Sequence, residues 1–302
     1  MTARFNREII PVTIDQSFQS VTVPEKGFKI TVLADNNADA PLEKEHGFAA
    51  LASIGETSIL FDAGQGEVLF KNADILGVNL TDIDMLVISH GHYDHTGGVS
   101  RIISKNPSIA VFAHDGILAP HFSMKNPAQS RDISMTLENR QALLDLPAGR
   151  FYRLKSPLIG QGIGLTGAIP RDDPMEDAGG AFTKDRRGRE KDIIEEETAL
   201  WLKTGKGLVI LTGCCHAGFI NTCAYVRKLS GQEKIHAVIG GFHLQTAGRE
   251  RISATSRFIN QTGIDSVVGC HCTGDDAIHT LERETSGKVK KAYSGWSVTY
   301  AN

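Results

Sequence analysis

The chain has 302 residues, 41% of them hydrophobic and 22% charged, with a net charge of −3 at pH 7. That balance supports a sizeable core, excludes intrinsic disorder as the default state and argues against a surface built to hold nucleic acid. No apolar run approaches about 18 residues, so no membrane-spanning helix is expected. The opening MTARFNREIIPVTIDQ lacks an apolar signal core, so a cytoplasmic location is expected.

In chain order, residues 28–34 (FKITVLA) read as a strand and DNNADAPLEKEHG as a polar loop. Residues 48–54 and 57–61 flank a Gly55-Glu56 turn, a hairpin signal, and the second arm ends in Asp62-Ala63-Gly64. GEVLFKNADILG is amphipathic, as a helix requires. Residues 85–89 form an apolar strand that runs into HGHYDHTGG, followed by a helix over 97–104 and a strand over 108–113. Strand pairs followed by strands alternating with helices predict an α/β protein whose sheets are covered by helices.

Residues 117–195 read as an insertion within a single domain spanning 1–302. It holds a helix (LENRQALLDL), a strand pair around RFYRLKSPLIG and QGIGLTG, and a Pro-, Gly- and charge-rich stretch that suggests a lid. There the basic group Lys184, Arg186, Arg187, Arg189 and Lys191 is balanced by Asp185, Glu190, Asp192 and the run Glu195 to Glu197, as in a solvated loop. Residues 198–203 and 208–212 form another hairpin around Gly205-Lys206-Gly207, and IHAVIGGFHL and IDSVVGCHCTG close the chain as two strand-to-loop units. The five cysteines (214, 215, 223, 270, 272) are an odd number with no signal peptide before them, which disfavours a disulfide framework. They read first as small buried hydrophobes, with a metal ligand or redox thiol among them as the alternative.

One pattern recurs: an apolar strand ends and a His- or Asp-bearing cluster follows, at Asp62, at His90 to His95, and at His216, His243 and His271. Packed sheets with these ends on one side would bring the clusters to a single rim. In His90-Gly91-His92-Tyr93-Asp94-His95, alternate residues of an extended segment face the same way, so His90 and His92 suit one cation and Asp94 and His95 a second position. Imidazole with carboxylate suits a divalent metal, one or two ions, with zinc foremost and iron or manganese as alternatives.

This H-x-H-x-D-H run, with an Asp at an earlier strand end and single His residues at later ones, resembles the metallo-β-lactamase superfamily over about residues 28–275. The runs EHGFA, LFDAGQ, HGHYDHTGG, TGAIPR, LTGCCHAGFINT, IGGFHL and GCHCTG are similar to one subgroup. Its named members join a dihydropterin to a phosphorylated ribosyl-aminobenzene with release of diphosphate; many other chains with these motifs are known only as metallo-hydrolases. The resemblance implies a four-layer αβ/βα sandwich with a dinuclear metal site on one edge. It implies His90, His92 and His216 for the first metal and Asp94, His95 and His271 for the second, with Asp94 also orienting the attacking group. Asp62 is implied behind the ligands, and Cys215 is expected there with it. The chain departs from the family where many relatives carry a metal-bridging Asp: it reads Cys214-Cys215-His216, so a thiolate or water bridges, or one site is weak.

Substrate contacts are expected from His243, His46 and Arg171, the last because a guanidinium can grip phosphate with two parallel bonds. His121, His236 and His279 read as surface or packing residues. The expected partner is an anionic small molecule, with no nucleic acid or membrane; oligomeric state is left open. Three functions follow: a synthase-like enzyme, a metallo-hydrolase of a small ester, thioester, lactone or phosphodiester, and a non-catalytic metal-bound sensor.

Overall fold

A computed structural model describes residues 16–126 and 129–302; most of the opening segment used to infer location lies outside them. Two seven-stranded sheets dominate. The first runs, in spatial order, Ser297–Tyr300, Phe28–Ala34, Ala49–Ile54, Thr57–Phe61, Met85–Val87, Ala110–Ala113 and Phe151–Arg153. The second runs Val289–Lys291, Ser266–Gly269, Ile235–Gly240, Gly207–Thr212, Leu200–Thr204, Ile163–Leu165 and Leu158–Ile159.

The sheets face one another across a core holding Ile30, Phe61, Val87 and Phe112 from the first and Leu202, Val209, Leu211 and Ile239 from the second. Side chains alternate along a strand, so Leu208 and Ile210 point the other way from Val209 and Leu211. They pack under helices Phe219–Ser230, Arg249–Thr262 and Asp275–Glu284. On the far side of the first sheet, Leu60, Leu86 and Val111 meet helices Glu67–Ile75, Val99–Lys105 and Leu137–Leu144. The result is the expected helix–sheet–sheet–helix sandwich. With both faces covered, GLVILT is buried at every position, which is why this strand reads as an unbroken apolar run.

The inner strands are parallel: Thr57–Phe61, Met85–Val87 and Ala110–Ala113 in one sheet, Gly207–Thr212, Ile235–Gly240 and Ser266–Gly269 in the other. Parallel strands end on one edge, and that edge is where such sheets bind ligands.

Two expectations change. Phe151–Arg153 does not pair with the strand near residue 163; it lies parallel to Ala110–Ala113 in the first sheet. Only Leu158–Ile159 and Ile163–Leu165 form the hairpin, in the second sheet. The helix expected over 97–104 begins at Val99, because Gly97 and Gly98 are pressed against the preceding loop. A Cβ on Gly97 would sit 2.5 Å from Gln65 backbone, and one on Gly98 2.7 Å from Ala63 O. Within 117–195, a small third sheet forms from Phe182–Thr183, Phe122–Asn126 and Gln129–Asp132. Among the described residues, no helix is long and apolar enough to cross a membrane.

Candidate metal centre

The strand ends converge as the sequence pattern anticipates. Among the described residues, donor atoms of His90, His92 and His216 lie within 4.8 Å of one another, as do those of His46, Asp94 and His271, and those of His90, His95 and Cys214. His90 to His95 come from the first sheet, His216 and His271 from the second. The turns that deliver them are tight: Asp62, Cys215, His243 and His271 all adopt positive φ, between 46° and 61°. Such backbone costs about 1–3 kcal/mol per residue and gathers at functional sites.

Four of the imidazoles are held from behind. Ser89 Oγ donates its one proton to Asp62 Oδ2 (2.7 Å), so it accepts from His90 Nδ1 (2.8 Å). Asp62 Oδ2 also lies 2.7 Å from His95 Nδ1, and Asp62 Oδ1 accepts from Ser89 N at 2.7 Å. Ala178 O accepts from His216 Nδ1 (2.7 Å), and Asn36 Oδ1 from His271 Nδ1 (2.8 Å). Fixing one ring nitrogen aims the other inward, the usual support of a metal-binding histidine. His90 Nε2 and His92 Nδ1 consequently stand 3.0 Å apart.

The inward atoms test whether these residues suit a cation. Nε2 of His92, His216 and His271 is buried with no hydrogen-bond partner among the described residues. Buried polar atoms are nearly always satisfied, so the orphaned nitrogens of His92 and His216 at one rim fit a cation. Burial pushes His90, His92 and His216 well below the ordinary imidazole range, leaving neutral rings with lone pairs to offer. Burial would raise Asp94, yet His95, His271 and His92 hold it well below the usual carboxylate range. His271 goes the other way: burial opposes it, but Cys272 and Asp94 lift it to about 9, the mark of surroundings that attract positive charge. Asp94 Oδ2 stands 3.2 Å from His46 Nε2, 3.4 Å from His271 Nε2 and 3.9 Å from His95 Nε2.

Asp62 gives an early prediction. Asp62→Ala strips three buried partners at once and is expected to weaken metal binding about 10–100-fold. Competition against a chelator measures it; unchanged affinity would mean that His95 is held by other contacts.

Several sequence expectations need correction. Cys215 does not stand behind the ligands: it packs in the outer apolar cluster with its thiol 3.4 Å from Thr222 Oγ1. Cys214 is the cysteine turned to the site, its Sγ 3.1 Å from His95 Nε2. Arg171 is not free to grip phosphate, because its guanidinium donates to the carbonyls of His216 and Ile194. Of the two alternatives for His121, surface or packing, the structure shows packing: it is buried, with its ring 5.4 Å from that of His92. Its Nδ1 lies 2.6 Å from Asp192 and its Nε2 3.3 Å from Glu196. Glu196 and Glu197 are likewise buried, not part of a solvated acidic run. Glu197 takes the backbone N–H of His216 and of Ala217, each at 2.6 Å, and burial pushes its carboxyl up to about 7. The basic cluster stays exposed and locally paired, Arg189 with Asp185 and Arg186 with Asp132.

Sequence reading also passed over Asp35 and Asn36, which support His271: Asp35 Oδ2 accepts from its backbone N at 2.6 Å. The signal was present, since strand Phe28–Ala34 ends in Asp just as Thr57–Phe61 does.

A cavity of about 670 Å³ opens above the cluster, reached by His46, Tyr93, Asp94, Phe182, His243 and His271. Arg131 stands at its wall, its guanidinium 5.1 Å from the Tyr93 ring centre and Nη2 donating to Tyr93 Oη at 3.0 Å. The expected contact residues His46 and His243 both line it; the His243 ring lies 4.5 Å from that of His216.

Comparison with known proteins agrees with this fold. The model of the metallo-beta-lactamase superfamily matches residues 44–205. The 7,8-dihydropterin-6-methyl-4-(beta-D-ribofuranosyl)-aminobenzene-5'-phosphate synthase of Methanocaldococcus jannaschii is 30% identical over 281 residues, covering 88% of this chain and 95% of that protein. A solved structure described as a metal-dependent hydrolase of the beta-lactamase superfamily is 31% identical with a TM-score of 0.78, covering 91% of this chain and all of that one. The metallo-beta-lactamase fold protein YhfI of Bacillus subtilis, 14% identical with a TM-score of 0.55 over 90% of this chain and 99% of its own, shares the fold.

Proposed function

Since the chain belongs to the metallo-beta-lactamase superfamily, we propose that it is a divalent-metal-dependent enzyme that condenses a dihydropterin diphosphate with a phosphorylated ribofuranosyl-aminobenzene, releasing diphosphate. The observation that carries this reading is the likeness to the synthase along nearly the full length of both chains. The cavity supports it, because the aromatic side chains of Tyr93 and Phe182 are among its lining above the histidine cluster.

His90, His92 and His216 would hold one cation, and Asp94, His95 and His271 a second. Such an ion, zinc before iron or manganese, would neutralise anionic oxygen on a leaving diphosphate or on a hydrolytic intermediate. Asp62, Ser89, Asn36 and the Ala178 carbonyl keep the four supported rings from turning. Asp94 orients the attacking group. His46, half exposed and 3.2 Å from Asp94, holds that carboxylate from the solvent side. His243 contacts substrate from the second sheet's edge.

With Arg171 engaged by carbonyls, Arg131 is the cation, among the described residues lining the cavity, placed to receive an anionic substituent. Arg131→Ala is expected to raise KM about tenfold or more, the worth of one charged hydrogen bond, while kcat changes little. An equal fall in kcat with KM unchanged would remove Arg131 from substrate binding.

A second reading is hydrolysis of a small ester, thioester, lactone or phosphodiester, favoured by the solved relative described as a metal-dependent hydrolase. One experiment separates the two: metal analysis of the purified protein, then assays for diphosphate release from the two condensation substrates and for hydrolysis of an ester, lactone and phosphodiester panel. Condensation with stoichiometric diphosphate supports the first reading. Turnover of simple esters without condensation supports the second and rejects the first.

A further inference from the structure

The five cysteines divide by environment. Cys215 and Cys223 pack in the outer apolar cluster and Cys270 in the central one, as small hydrophobes do. Cys214 and Cys272 belong to neither cluster among the described residues; both are buried and both line the cavity above the histidines. Their sulfurs and a ring nitrogen of His243 lie within 4.8 Å of one another.

Local structure keeps this trio together. His243 turns back at φ 46°, and its backbone N–H donates to Cys272 Sγ at 3.3 Å. A Cβ on Gly241 would stand 2.7 Å from that sulfur, so only glycine leaves it room. Nδ1 of His243 is buried with no hydrogen-bond partner among the described residues, an acceptor with nothing to accept from.

We infer that Cys214, Cys272 and His243 form a sulfur-rich cation site on the cavity floor, beside the histidine groups, for a thiophilic divalent metal such as zinc. Tetrahedral zinc with bonds of about 2.3 Å to sulfur and about 2.0 Å to nitrogen holds its ligands roughly 3.5–3.8 Å apart, so the trio closes with small side-chain rotations. Two sulfurs and one nitrogen leave the fourth position facing the cavity, the arrangement of a site that exchanges ligands rather than a closed structural one. Thiolate donors also select differently from imidazole and carboxylate, so this site prefers softer metals than its neighbours do.

The test uses the full-length, reduced apo-protein titrated with cobalt(II) alone. Thiolate ligation gives a sulfur-to-cobalt absorption in the near ultraviolet, whereas a histidine and carboxylate site gives only the weak visible bands. The wild type is expected to show the sulfur band. Cys272→Ser should cut it to about half, and Cys223→Ser should leave it unchanged. Zinc-edge X-ray absorption of the wild type, which needs no variant, should find sulfur neighbours at about 2.3 Å. Full sulfur absorption in Cys272→Ser would overturn the site, leaving Cys214 as a lone thiolate ligand beside His95. Cobalt bound without any sulfur band would reject the sulfur site while leaving the histidine groups and the proposed enzyme standing. A Cys214–Cys272 disulfide in freshly purified protein, with no sulfur band after its reduction, would replace the metal site by a redox pair.

Discussion

Asp94→Asn is expected to lower turnover by about 10²-fold, the usual cost of misplacing a reacting group, while the protein still folds. The carboxylate stands within 3.9 Å of three imidazoles and is the acidic member of the HGHYDH run. Asparagine keeps the shape but removes the negative charge, and an amide oxygen is a poorer metal ligand than a carboxylate. The side chain lies at the rim below the cavity rather than in an apolar cluster, so thermal unfolding of the metal-free protein should move little. Turnover, metal content and melting temperature of the same preparation check all three parts. Full activity with normal metal loading would rule out a catalytic Asp94 and favour a mononuclear site on His90, His92 and His216.

Removal of Glu197 should damage both stability and the site. Its two carboxylate oxygens take the backbone N–H groups of His216 and Ala217, and all three residues are buried. In Glu197→Ala both buried donors lose their partner, at about 1–3 kcal/mol each, so a loss of roughly 2–6 kcal/mol is expected. The loop carrying His216 then slackens, and metal retained after dialysis should fall with it. Glu197→Gln keeps one acceptor and should recover part of the stability. Denaturant unfolding with metal analysis decides: an Ala variant as stable and as well loaded as the wild type would show that Arg171 alone holds the loop through the His216 carbonyl.

The parts of the fold legible in the sequence are those where one physical signal dominates. Strands Phe28–Ala34 and Thr57–Phe61 announce themselves by composition and by the turn between hairpin arms, and both lie where residues 28–34 and 57–61 predict. The convergence of Asp62, His92, His216 and His271 was readable because each follows an apolar strand, and parallel strands deliver their ends to one edge. Contacts set by distant segments were not readable. Nothing in CCHAG distinguishes Cys214 from Cys215; the positive φ at Cys215 turns its thiol to Thr222 and leaves Cys214 facing His95. Glu197 looks like its neighbour Glu195 in sequence, and only the approach of the His216 loop gives it a buried role. His121 gave no local signal either, since its partners Asp192 and Glu196 lie more than 70 residues away.

The two sheets meet mainly through side-chain packing, yet their edges contribute jointly to one rim: His90, His92, Asp94 and His95 from the first, His216 and His271 from the second. An ion shared between them would be a rivet as well as a reagent, pinning one half of the sandwich to the other at a single edge. Binding only the closed arrangement, it would stabilise the fold in proportion to the logarithm of its free concentration, about 2.7 kcal/mol at a hundredfold excess over its dissociation constant. Among the described residues no such group of metal donors stands at the far edge, so a chelated protein should loosen first along the rim, with amide exchange quickening at the loops that carry the histidines before it quickens in the core strands.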